Sequence, residues 1–149
     1  MSTCTSRCLV PEGAASFLIR FSIGLLFFVA GLNKFLAPGG FMAVADLLQA
    51  GFDKTWLPHF LTVPFLHVLP FIEVTLGLTL MAGVLSVYAL TAAGLLLIAL
   101  SFGKMVEQDW ITVSNNLVYV FFCAVGIWLV AKNNVYSLDY LIGFLKDKK

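Results

Sequence analysis

Charge is what this sequence has least of. Only 11% of its 149 residues are Asp, Glu, Lys or Arg, against about a quarter in a soluble domain. Nine basic and eight acidic side chains cannot cover the surface that a soluble globule of this size leaves in water. The hydrophobic fraction of 60% excludes a disordered chain. A net charge of +1 gives no basic surface to hold nucleic-acid phosphates. Cysteine is scarce too. Cys4 and Cys8 form a CxxxC pair, and Cys123 stands alone in an apolar run. The pair could bind metal or cycle between thiol and disulfide, but no second pair or nearby His completes a zinc set, and no metal is expected. No GxSxG, P-loop, HExxH, GxGxxG or CxxCH occurs.

Long apolar runs are what is there, and they define an all-α integral membrane protein. Residues 14–36 are enough to cross about 30 Å of hydrocarbon. Residues 60–103 carry one formal charge, Glu73. As one helix they would measure roughly 66 Å, twice a bilayer, so they must turn back. Gly83-Val84-Leu85-Ser86 is the expected turn, with Gly ending one helix and Ser capping the next. The expected spans are 14–36, 60–82, 86–105 and 113–131. They make a four-helix transmembrane domain over 14–145, between a polar N-terminus (1–13) and a basic tail (146–149).

Pro38-Gly39-Gly40 breaks the first helix, and Phe41, Val44, Leu47 and Leu48 then recur at helical spacing. That predicts a short amphipathic interfacial helix in the first outer loop, ended by Gly51. Trp56 and Trp110 fall at expected water interfaces. A further interfacial helix is expected over 136–144. Lys and Arg near the span ends place both termini in the cytoplasm, in a bacterial inner membrane, and no signal peptide is evident.

Ionisable groups at bilayer depth need partners. Glu73 lies near the middle of the second span, and Arg20 is well inside the first. The two helices run antiparallel, so an Arg20–Glu73 pair is expected. It is either a helix-packing lock or a proton-carrying site. His67 is six residues before Glu73, about 240° round an ideal helix, with Pro70 between them. It is either an interfacial hydrogen-bonding residue or a ligand contact. Lys34 and Lys104 end the first and third spans, and Asn115 and Asn116 open the fourth at the same level. Each lysine alone reads as snorkelling; together these residues could line the mouth of a pocket between helices. The glycines, including Gly24, Gly31 and Gly77, read as close helix packing.

Arg20-Phe21-x-x-Gly24, Phe28-x-x-Gly31-x-x-Lys34-Phe35, Pro38-Gly39-Gly40-Phe41, Ala50-Gly51, Glu73-x-x-x-Gly77-x-x-x-Met81-x-Gly83 and Tyr136-Ser137-Leu138-Asp139 follow one another in order. In that order and spacing the chain resembles the DoxX-like four-helix membrane proteins over about residues 16–140. One branch of that family is the membrane subunit of a thiosulfate:quinone oxidoreductase. The resemblance implies a quinone-interacting or anchoring subunit of a membrane redox complex, with a partner subunit or a homo-oligomer and no nucleic acid. On that reading Arg20 and Glu73 hold and relay protons, and His67, Lys34, Lys104 and Asn115 contact the quinone. The alternative is a non-catalytic scaffold or assembly subunit of a larger membrane complex.

Overall fold

The computed structural model describes residues 11–132. Within them the chain is all helical: α1 (Pro11–Leu36), α2 (Gly40–Phe52), α3 (His59–Ala82), α4 (Ser86–Val106) and α5 (Trp110–Lys132). Segments Glu12–Leu36, His59–Ala82, Ser86–Val106 and Trp110–Ala131 are long and apolar enough to cross a membrane. These helices lie within a few residues of the expected spans. The fold is a four-helix membrane bundle with one short extra helix, and its outward apolar side chains require a lipid environment. The predicted helix at 136–144, the Cys4–Cys8 pair and the basic tail lie outside the described residues.

The four long helices form a ring. α1 packs on α3 and α5, and α4 packs on α5 and, less extensively, on α3. α2 rests on α3 and α1 at one end of the bundle. Ile23, Phe27, Leu69, Leu80, Leu90 and Leu97 fill the core. Leu18, Leu25, Val68, Phe71, Leu95 and Phe121 point away from it, as lipid-facing positions should. α2 begins after Gly39 and Gly40, both at positive φ (86° and 70°), which glycine adopts without steric cost. Its inward residue is Ala45. Leu47, expected on the apolar face with Leu48, is 74% exposed. One residue's step along a helix is about 100°, enough to turn Leu47 away while Leu48 stays half-buried.

Pro64 and Pro70 lie inside α3 without ending it, as membrane helices allow when neighbouring groups take up the freed backbone. Gly83 closes α3 at φ 74°. Ser86 does not cap α4. Leu85 takes the cap position at φ 48°, and Ser86 is buried within the first turn. The cap of α5 is Asp109. Its carboxylate accepts from the Thr112 hydroxyl at 2.6 Å and from the Thr112 N–H at 3.2 Å. These bonds, the hydroxyl first, hold Asp109 below its ordinary value of 3.8. A lowered folded value stabilises above the ordinary one, and that stabilisation disappears as pH falls through the lowered value. Asp109→Ala is therefore expected to lower the melting temperature at neutral pH, by a margin that shrinks in acid. Melting curves of both proteins across that range check it; a margin independent of pH would remove the carboxylate's role.

Candidate functional site

The site is built on the contact between α1 and α3. A Cβ on Gly77 would lie 2.5 Å from the Phe28 backbone nitrogen, and one on Gly31 would lie 2.9 Å from that of Val74. Small residues at these positions let the two helices approach closely. The same contacts set the antiparallel register. Gly31 stands level with Glu73 and Val74, and Gly24 with Gly77, Leu80 and Met81.

That register decides the partner of Glu73. Its carboxylate is held by Lys34, whose Nζ donates to Oε1 at 2.5 Å and also to Oε2. Glu73 is 4% exposed. Lys34 lies in the last turn of α1, and helical side chains lean towards the N-terminus of their helix. The ammonium is thereby carried back to the level of Gly31 instead of snorkelling to water.

The expected Arg20–Glu73 pair does not form. α1 starts well beyond the level at which α3 ends, so equal distances from the two helix ends are not equal depths. Arg20 is eleven residues before Gly31, roughly 16 Å along the axis. It reaches the turn between α3 and α4, where its Nη1 donates to the Ser86 hydroxyl at 3.4 Å. Its guanidinium also lies 5.9 Å from the centre of the Phe17 ring. Arg20 is 2% exposed, so the bundle holds two separate interior polar sites rather than one.

The other candidates do not converge either. His67 Nδ1 donates to the Val63 carbonyl at 2.8 Å, a bond within its own helix. Lys104 donates to Glu107 at 2.5 Å. Asn115 is exposed on α5. Of the expected pocket-mouth residues, Lys104 borders a cleft of about 290 Å³ between α2, α3 and α4, whose wall includes Phe52, Phe65, Leu69 and Leu100. Lys34, His67, Asn115 and Glu73 are not in that wall. A second hollow, of about 320 Å³, lies between α1 and α5 at Ile19, Leu26 and Tyr119. No group of three His, Cys, Asp or Glu able to hold a metal occurs among the described residues. Sequence reasoning missed Lys34 as the partner of Glu73. The glycines mark where the helices touch, but the register that brings Lys34, not Arg20, to the carboxylate comes from their partners, Val74 for Gly31 and Phe28 for Gly77, which glycine spacing alone does not name.

Residues 12–108 match the family model of the methylamine utilisation protein MauE. The chain belongs to the MauE family. The match spans α1 to the end of α4 and includes Arg20, Lys34, His67, Glu73 and Lys104. No curated protein and no solved structure matches the chain. The MauE match overturns the resemblance to the DoxX-like proteins, and with it the reading as a quinone-interacting, thiosulfate:quinone oxidoreductase-like subunit. The motifs behind that resemblance are mainly glycines at close-packing spacing and one buried acid. Helix packing in lipid demands such residues of small bundles in general, so they do not tell one MauE-like bundle from another family's.

Proposed function

We propose that this MauE-family chain is a non-catalytic accessory subunit, a scaffold or assembly partner in a larger membrane complex, and that its complex serves methylamine utilisation as the family's description says of MauE. The observation that carries this reading is the Lys34–Glu73 pair. The Glu73 carboxylate is buried in the α1–α3 contact, the Lys34 side chain that holds it is 19% exposed, and neither residue borders the two hollows described above. A buried, mutually satisfied ion pair fixes which helix faces meet; it is not presented to a substrate. The broad apolar faces of α3 and α5, with Val68, Phe71, Phe121 and Trp128 outward, offer surface to lipid and to a partner's helices. The distribution of Lys and Arg supports an inner-membrane orientation with both chain ends in the cytoplasm.

The test is deletion of the gene in its host, with growth on methylamine as the readout. Growth should fail and return when the wild-type chain is restored, while the purified chain alone turns over no methylamine. Unchanged growth, or turnover by the isolated chain, would overturn the reading.

A further inference from the structure

We propose that the seam between α1 and α5 is where a second copy of this chain docks in the bilayer. The two copies lie side by side in the same orientation, with Ser22, Asn33, Asn115 and Tyr119 forming hydrogen bonds between them. This stands independently of the accessory-subunit reading.

A polar stripe on an outward face is the first observation. Ser22 and Asn33 are eleven residues apart on α1, which brings them within about 20° of each other round the helix. Asn115 and Tyr119 stand at i and i+4 on α5, again on one face. Ile19 of α1 lies against Gly126 of α5, and Ser22 and Tyr119 border the same hollow of about 320 Å³. The two stripes therefore meet along one seam. Ser22, Asn33 and Asn115 are exposed, and Tyr119 is half-buried. Among the described residues no hydrogen bond satisfies any of the four side chains. Thr75, Thr79 and Thr91, also outside the core, instead donate to the carbonyl four residues earlier, at 2.7–2.8 Å. Tyr119 cannot do the same, because its ring carries the hydroxyl too far from its own backbone. Nor is that hydroxyl sealed inside the bundle, so a neighbour's oxygen can reach it.

Depth identifies the occupant. Ser22 is the twelfth of 26 residues in α1 and Tyr119 the tenth of 23 in α5, so both stand in the middle part of their spans. A glycerolipid carries only hydrocarbon there, and a polar group left unpaired in hydrocarbon is costly. The occupant must bring hydrogen-bonding groups to mid-depth and be apolar around them, as a transmembrane helix can. A second copy meets both conditions. A two-fold axis along the membrane normal keeps equal residues at equal depth. Hydroxyls and amides both donate and accept, so the stripe is complementary to itself. No formal charge occurs between Ser22 and Asn33, or on α5 before Lys132, so two copies meet without repulsion. Leu25 and Phe121 are exposed on the same two helices and supply apolar contact around the polar groups. The outward face of α3, with Val68, stays open to other partners.

Sedimentation equilibrium of the full chain in density-matched detergent should show a monomer–dimer equilibrium. Asn115→Leu/Tyr119→Phe removes two hydrogen-bonding groups per copy and should raise the dimer Kd about 10-fold or more. Ser22→Ala should act in the same direction, more weakly. Val68→Leu, on the outward face of α3, should leave the Kd unchanged. The proposal is overturned if the wild type stays monomeric at the highest protein-to-detergent ratio, or if the seam variants dimerise as well as the wild type. It is also overturned if Val68→Leu weakens the dimer as much, or if a lipid or a different protein, retained by the wild type and lost from the seam variants, takes the place of the second copy. Circular dichroism establishes that each variant folds; if the double variant does not, Tyr119→Phe and Ser22→Ala decide singly.

Discussion

Lys34→Met is expected to destabilise the folded chain by about 3 kcal/mol, because it leaves the Glu73 carboxylate uncompensated among apolar side chains. Glu73 is 4% exposed and its partner lies on another helix, so neither water nor a neighbour on α3 replaces the ammonium. Glu73→Gln should cost less. The amide still accepts from Lys34, and the lysine, at the end of α1, can extend towards water. The double variant Lys34→Met/Glu73→Leu should recover most of the loss, since replacing both members of a buried pair by apolar groups is often close to neutral. Equilibrium unfolding in mixed micelles measures all three. A Lys34→Met chain that unfolds like the wild type would mean that the pair contributes nothing to holding α1 on α3.

The order of these costs separates a packing lock from an exposed surface pair, which is worth only about 0–1 kcal/mol. It also bears on function. If the pair stitches the bundle, variants at Lys34 and Glu73 lose accessory activity in proportion to lost folded protein, and restoring stability elsewhere restores the activity.

The four spans could be read from the sequence because their signal is length without charge, and each run ends in a strong break: Pro38-Gly39-Gly40, Gly83, or the charged stretch after Val106. The α2 helix could be read from the same breaks. The partner of Glu73 could not be found by the reasoning applied, which measured depth from helix ends. Helix ends in a bundle need not be level, and α1 overshoots α3 by more than two turns. Register is carried instead by the positions where backbones touch, and those are glycines, whose spacing shows that they pack but not against what. The local hydrogen bond of His67 and the outward placement of Asn115 depend on how each helix is rotated. Periodicity fixes that rotation poorly when a helix is apolar nearly all round, as α3 and α5 are.

Gly77→Ala is expected to cost about 2 kcal/mol, despite alanine being the better helix former by about 1 kcal/mol. The added methyl would lie 2.5 Å from the Phe28 nitrogen and 2.7 Å from its Cα. Both are backbone atoms, so no rotamer change relieves the clash, and α1 must move away from α3; such overpacking costs about 1–3 kcal/mol and occasionally more. Gly94→Ala is the control. Its methyl meets only the Cys123 Cβ at 3.5 Å, an ordinary contact, so the propensity gain should leave that variant as stable as the wild type or slightly more so. Moving α1 also lengthens the Lys34–Glu73 contact one turn away. Gly77→Ala and Lys34→Met therefore act on one interface, and together they should cost less than the sum of their separate effects. Additive losses in the same unfolding assay would show that the close approach and the ion pair hold α1 on α3 independently.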